Sequence, residues 1–498
     1  MTRVWTSGSV LLALGAFLAV AYTGLVYLVY PGYIDHGEPS VLLLGWRLLD
    51  GHQVYPDFEA AERTVNVYGP YSYLVHLPAL LAFGDSVLVG KLTSIVTALL
   101  FCLSPILLFR GRALWVRALG VTFLSALVLV HTPAPIWNRP DIFMATCVLL
   151  AVAFARWGEG RDPLFHDQAW WATVGIGICA GLAMGFKIHA AVFVAPVALF
   201  HVWGRDFRHW IALPAVMVGV GLLPFAFDVF SLSGLTAWFG LLASKPFDPG
   251  MGMDYLRYNA VSLVLVGAAS VLYLFGNGAE KDGWALPLYL LAILGVMALV
   301  VIPAAKPGAG WYYLLPFSAL VLDVTERLVW RKRPAIWALG LSVIGIIGLL
   351  VTAVPIQKRF HLSLDVPLSE RVAAELASIM ADHIGATIEM GLGEDALQGY
   401  HNSWQRSRLV LAGHPYSLDA AIMTEVSQFG VTMPPAALAK LAACDPDIWL
   451  IPSGEEPFSL IGYYGNPVFT DTWRTAFRTA YQRLESRTFF DVWRCKPQ

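Results

Sequence analysis

Residues 8–30 form an apolar run free of any charged side chain, and similar runs recur through the first 355 residues of this 498-residue chain. A run of about 20 such residues spans a hydrocarbon core roughly 30 Å thick. Inside lipid every backbone polar group has to be satisfied by the chain itself, so runs of this length are expected to be helices. Ala19-Val20-Ala21 mimics the cleavage site of a secretory leader, yet apolar residues continue to Tyr30. That is longer than the roughly 7 to 15 residues of a leader's apolar core, so the first run is expected to remain as an anchor.

Further runs lie near 86–109, 113–131, 141–156, 170–186, 188–203, 210–230, 258–276, 284–304, 311–325 and 335–355, which with the first makes about eleven expected spans. The stretch 71–83 has only 13 residues with His76 and Pro78 at its centre, and is expected to lie in the interface. Composition agrees: 57% of residues are hydrophobic and 14% charged, against roughly 25% charged in soluble domains. A net charge of -2 and no basic run longer than Arg331-Lys332-Arg333 give no reason to expect a nucleic-acid partner. There is no internal repeat and no low-complexity tract.

After Pro355 the composition changes. Residues 356–498 hold 28 of the 68 charged residues, about 20% of that stretch, against 40 of 355, about 11%, before it. The expected fold is therefore an α-helical polytopic membrane protein, residues 1–355, followed by a small soluble α/β domain, residues 356–498. Thr387–Met390, Leu409–Leu411 and Ile448–Ile451 read as strands, and 367–383, 418–428 and 434–443 have helical spacing.

The loop 31–70 is the polar insert of the N-terminal third and carries Asp35, His36 and Glu38. Arg139-Pro140-Asp141 precedes the 141–156 span, Lys187 separates two apolar runs and Lys306 precedes Trp311-Tyr312-Tyr313. On the expected topology these groups share one membrane level, and ionisable groups near a bilayer usually face a cavity or a partner. Asp35, Glu38 and Asp141 suit a general base or, Asp35 with Asp141 above all, a divalent metal site; the cations suit a phosphate. The plainer readings stay open: Asp35 or Glu38 caps a helix over 39–50, Asp141 pairs with Arg139, and Lys187 and Lys306 snorkel to the water boundary.

The order of parts resembles the GT-C class of polytopic glycosyltransferases, nearest the protein O-mannosyltransferase and aminoarabinose transferase branch. The residues that carry it are Asp35 in the first outer loop, Tyr68-Gly69-Pro70-Tyr71 leading into a short apolar segment, Arg139-Pro140-Asp141, Gly185-Phe186-Lys187, and Lys306 through Tyr313-Leu314-Leu315-Pro316. In the mannosyltransferases an Asp-Glu pair is adjacent, whereas here His36 and Gly37 separate Asp35 from Glu38. The resemblance implies an inverting transfer of a sugar from a polyprenyl-phosphate carrier to a glycan, lipid or protein acceptor at the periplasmic face of the inner membrane. It makes Asp35 the base, puts Arg139, Lys187 and Lys306 on the donor phosphate, and sets His36, Tyr68, Tyr71 and Tyr312 around the substrate. No cofactor is required by this chemistry, although a divalent metal stays open. The rival expectations are a transporter or lipid flippase, or a scaffold whose tail binds envelope partners. Transporters often carry internal repeats, which this chain lacks.

Of the five cysteines, Cys102, Cys147 and Cys179 lie in expected spans, and Cys444 and Cys495 lie in the tail. Only the latter pair meets an oxidising compartment on this topology, so a Cys444–Cys495 disulfide is expected, with two buried thiols as the alternative. Orientation follows from the charge census: the expected inner loops hold 13 Lys and Arg and the outer loops, excluding the C-terminal tail, hold 7, so the N-terminus is expected in the cytoplasm and the tail outside. A reporter active only in the periplasm should therefore be active when fused after Gln498 and silent when fused after Arg112. The reverse pattern overturns this orientation.

Overall fold

The structure, a computed structural model, describes residues 2–65, 68–160, 167–258, 285–306, 308–330, 336–394, 404–462 and 465–497. Among them, seven helical stretches are long and apolar enough to cross a membrane: Thr6–Val29, Val87–Leu108, Asp141–Gly158, Gln168–Phe186, Phe207–Ala226, Ala285–Ala304 and Val343–Asp382. The protein is a multi-pass membrane protein. Three more expected spans are present as shorter pieces. Leu114–Val130 is one 17-residue helix. The run 188–203 is divided into Ile188–Phe193 and Ala195–Val202, and 311–325 into Trp311–Leu314 and Phe317–Thr325. Pro196 and Pro316, which lack the N–H that a continuing helix needs, sit at these breaks. The expected span 258–276 lies, but for its first residue, outside the described residues.

Two of these shorter helices, Leu114–Val130 and Phe317–Thr325, are also the most buried. Leu114–Val130 is covered over nearly its whole length, whereas Thr6–Val29 leaves Leu11, Leu14, Leu18, Tyr22 and Leu25 exposed. Interrupted backbone is tolerated at membrane depth only where protein surrounds it, so the breaks belong at the centre of the bundle.

The loop after the first helix turns directly into the helix Gly37–Leu49, and 71–83 forms two short helices, Tyr71–Leu74 and Leu77–Phe83. In the tail, four strands pair in the order β1-β2-β4-β3, with β1 Ile388–Met390, β2 Ile448–Pro452, β3 Tyr481–Ser486 and β4 Phe490–Cys495. β1 runs parallel to β2, with Ile388 opposite Ile448, and β4 runs antiparallel to β2 and β3. Alternation along the strands supplies both faces: Ile388, Met390, Ile448, Leu450 and Val492 pack on Leu376 and Ile379 of the helix Val366–Asp382. Trp449 and Ile451 pack on the other face, against Phe458, Trp473 and Phe477. The expected helices are found at Val366–Asp382, Ala420–Val426 and Pro435–Ala442. Leu409–Leu411 is not a strand but the end of the helix Arg406–Leu411, whose Leu409 and Val410 are buried. Three apolar residues are too few to separate a period of 2 from one of 3.6.

The tail does not stand apart from the membrane part. Val41, Leu44 and Tyr55 of the 31–70 loop and Tyr73 of the short helix after it share one buried cluster with Trp238 and with Met423, Trp449 and Phe477 of the tail. Polar contacts fix the same junction: Arg63 and Leu418 form a parallel bridge, and Ser40 Oγ donates to Asp419 Oδ2 at 2.5 Å. Arg408 donates to the carbonyl of Pro31 at 2.6 Å.

Cys444 and Cys495 form a disulfide with their Cα atoms 5.6 Å apart, bringing Cys495 at the end of β4 beside the turn that leads into β2. The bridge spans 51 residues, which in the chain-entropy account stabilises this region by about 4 kcal/mol. Labelling of the denatured, unreduced protein should modify Cys102, Cys147 and Cys179 alone, with all five modified after reduction. Five labelled cysteines without reductant rule the bridge out.

Candidate active site

The short loop between the first helix and Gly37–Leu49 holds Asp35 in a tight turn, its Oδ1 accepting from the N–H of Gly37 at 2.8 Å. Asp35 thus meets the first N–H of that helix from one residue before its N-cap, His36, and the same oxygen accepts from Arg139 Nη1 at 2.9 Å. Arg139 is nearly buried, 7% of its side chain being exposed, and it donates through Nη2 to the hydroxyl of Tyr312 at 2.6 Å. Its guanidinium lies 4.2 Å from the Trp137 ring centre and 5.1 Å from that of Tyr312. A buried arginine of this kind is held by its charge partner, its fork geometry and aromatic faces together.

Asp141 opens its helix behind Arg139 and is completely buried, accepting from Lys187 Nζ at 2.8 Å and from Trp137 Nε1 at 3.0 Å. Lys187 also faces the rings of Tyr68 and Tyr313, 5.1 and 4.7 Å away. The glycines of the two nearby motifs explain how it is placed. Gly69 donates its N–H to the carbonyl of Phe186 at 2.8 Å, and Ser72 Oγ donates to the same oxygen at 3.0 Å. A Cβ on Gly69 would overlap the backbone of Gly185, and one on Gly185 would overlap the Tyr71 ring. Only glycine at both positions lets these segments touch.

Arg139 and Lys187 open on a cavity of about 240 Å³ whose walls also include His36, Tyr68 and Lys306, while Asp35 and Asp141 sit behind these two cations and do not line it. Lys306 is the outermost, donating to the carbonyl of Ala243 at 2.5 Å. Two further ionisable groups, Lys245 and Glu425, form an ion pair in the same wall. Glu425 belongs to the tail helix Ala420–Val426, so the tail closes one side of the cavity. Lys245 stands at the end of an apolar helix, a position that signals a boundary cation. Nothing in the sequence around Glu425 marks it.

Three expected site residues stand elsewhere. Tyr71 donates to the carbonyl of Val220 at 2.8 Å and packs on Phe186, away from the cavity. Tyr312 reaches the site through Arg139 and through Lys187, whose Nζ lies 5.4 Å from its ring centre, while its neighbour Tyr313 lines the cavity wall. Glu38 is completely buried and faces inward, its carboxylate accepting from the hydroxyl of Tyr27 at 2.6 Å and from the N–H groups of Ile34 and Asn138 at 3.2 and 3.3 Å.

Electrostatics separates the two loop carboxylates. Burial raises the pKa of Asp35, but the Arg139 guanidinium and His36 outweigh it and hold the group below the ordinary carboxylate range. Burial dominates at Glu38 and pushes it up to about 7. Asp35 and Asp141, the pair the sequence offers a divalent cation, are each held by a protein cation, Arg139 and Lys187. Among the described residues no three His, Cys, Asp or Glu side chains gather. This donor set, as arranged, is charge-matched without a metal and does not fit one.

No family model and no curated protein sequence matches the chain. Solved structures do. ArnT from Cupriavidus metallidurans bound to undecaprenyl phosphate superposes with a TM-score of 0.53 at 14% identity, covering 99% of this chain and 100% of that one. The apo state of the same protein gives a TM-score of 0.54 at 14% identity, covering 97% and 99%. The likeness covers nearly the whole of both chains, and at this identity it speaks to architecture. The chain shares the fold of these structures, a helical polytopic membrane part followed by a small α/β domain, which agrees with the resemblance seen in the sequence.

Proposed function

We propose that the protein is an inverting glycosyltransferase that moves a sugar from a polyprenyl-phosphate carrier to an acceptor hydroxyl of an envelope glycan, lipid or protein, at the periplasmic face of the inner membrane. The observation that carries this reading is the Asp35–Arg139 contact of 2.9 Å at the edge of a cavity lined by Arg139, Lys187 and Lys306. It sets a carboxylate beside a group of cations, which supports reading them as a base and a phosphate clamp. The fold supports the donor class, since a protein of the same architecture is described with undecaprenyl phosphate bound.

In this reading the acceptor hydroxyl approaches Asp35 Oδ2, because Oδ1 is already taken by Gly37 and Arg139. Oδ2 accepts the proton as the hydroxyl oxygen bonds to the anomeric carbon and the bond from that carbon to the phosphate oxygen breaks. The electron pair of that bond leaves with the polyprenyl phosphate, which gains one negative charge. Arg139, Lys187 and Lys306 offset that charge in a partly enclosed site, where such groups act most strongly. A single displacement inverts the anomeric carbon. Donor phosphate also competes with Asp35 for Arg139, and loosening that contact raises the basicity of Asp35 when the donor is in place.

Asp35→Asn keeps the size but cannot take the proton, and is expected to lower turnover by about 100-fold to 10,000-fold with normal yield from the membrane. The pH profile gives a second reading. The active form of Asp35 is the charged one and its pKa is depressed, so it is fully present at neutral pH and lost only as pH falls through the depressed value. The acid limb of kcat/KM, which reports the free enzyme, should lie below about 4. In Arg139→Met burial acts without the cation, and the limb should move up toward neutrality. Wild-type turnover in Asp35→Asn, or a limb that ignores Arg139, sinks the assignment.

A further inference from the structure

Lys91 stands in the first turns of the helix Val87–Leu103 and is completely buried. An ammonium so deep is costly unless its charge and hydrogens are met. It donates to the backbone carbonyls of Tyr27 and Tyr30 at 3.1 and 2.7 Å, and lies 4.3 Å from the Tyr27 ring centre. Tyr27 is in the last turn of Thr2–Val29 and its carbonyl also accepts from the N–H of Tyr30 at 3.2 Å, so Lys91 meets the second lone pair of a helix-end carbonyl and the first carbonyl beyond the helix. Lys91 therefore closes the first membrane helix from a neighbouring one, with a cation at the end where the helix dipole favours it.

The loop of Asp35 starts from that helix end. Tyr27, whose carbonyl Lys91 holds, donates its hydroxyl to Glu38 at 2.6 Å. Glu38 in turn accepts from the N–H of Ile34, next to Asp35, and from the N–H of Asn138, next to Arg139. A second bond doubles the latter tie, Asn138 Nδ2 donating to the carbonyl of Glu38 at 2.9 Å. The path Lys91, Tyr27, Glu38 thus ends on the backbone at both sides of the Asp35–Arg139 contact. None of the three side chains lines the cavity.

We infer that Lys91 and Glu38, linked by Tyr27, are positioning residues that set the reach of Asp35 toward the acceptor hydroxyl, without touching substrate. The inference rests on the proposed role of Asp35 as base. It assigns Glu38 a part different from that of a second catalytic acid.

The test uses the full-length protein in vesicles with undecaprenyl phosphate linked to hexoses, pentoses and amino sugars; kcat and KM are measured with a donor that the wild type accepts. Binding of undecaprenyl phosphate alone is followed by tryptophan fluorescence. Lys91→Gln and Tyr27→Phe should each lower kcat by about 10-fold to 100-fold, the scale of a misplacement near 1 Å, with undecaprenyl phosphate binding unchanged. In an Asp35→Asn background neither should reduce the residual turnover further, since the loss travels through Asp35. Tyr27→Phe removes one hydroxyl only and decides the matter if Lys91→Gln is not recovered from membranes. Wild-type kcat in these variants, or losses that multiply with that of Asp35→Asn, overturn the positioning role while leaving the function standing. Full turnover in Asp35→Asn itself overturns both.

Discussion

Burying the guanidinium of Arg139 is the constraint on which the rest of the site depends. A buried cation left unpaired is strongly destabilising, so the structure has to bring an anion to it and keep it there. That anion is Asp35, 104 residues away in the chain, with Asp141 4.0 Å behind and Tyr312 accepting on the other arm of the fork. Each partner comes from a different segment. Meeting one charge thus fixes the outer loop, the start of Asp141–Gly158 and the 311–315 turn relative to one another. Lys187 then takes the remaining charge of Asp141.

The tail is part of the same solution. Asp419 accepts from Ser40 and Tyr416 and caps the helix Ala420–Val426 through the N–H of Ala421, so one buried carboxylate ties the helix next to Asp35 to the helix that carries Glu425. Moving the tail would therefore move a wall of the cavity. A soluble domain that merely trailed the last span would have no reason to bury Arg63 and Ser40 against it.

Membrane class, the outer loop and the ionisable groups Asp35, Arg139, Asp141 and Lys187 are legible in the sequence because long apolar runs leave few places for charge. The pairing of these groups is not. Whether Arg139 faces Asp35 or Asp141 depends on helix packing that no local pattern carries, and both contacts turn out to exist at different distances. Glu38 reads as a second acid because it sits three residues from Asp35, but the helix beginning at Gly37 rotates it to the buried side. Lys91 had a signal, an ionisable group inside an apolar run, which marks a site worth explaining. The Tyr71 and Gly185 motifs are legible as unusual residues, and their meaning, close backbone approach, needs the partner segment to be seen.

The balance of charge around the cavity gives the proposed chemistry a direction. Three of its four cations face a carboxylate: Arg139 with Asp35, Lys187 with Asp141 and Lys245 with Glu425. Lys306, among the described residues, is met by a backbone carbonyl instead. On the proposed function, an anionic phosphate entering this site is drawn first to the side where positive charge is least compensated, at Lys306. From there it shares Arg139 and Lys187 with carboxylates already in place, so the attraction is divided and the seat is not too tight to leave. On the proposed function this division serves turnover: the carboxylates that keep the cations stable in the empty cavity also weaken the hold on the polyprenyl phosphate once it has lost its sugar, because its added charge then meets Asp35 and Asp141 as well as the clamp.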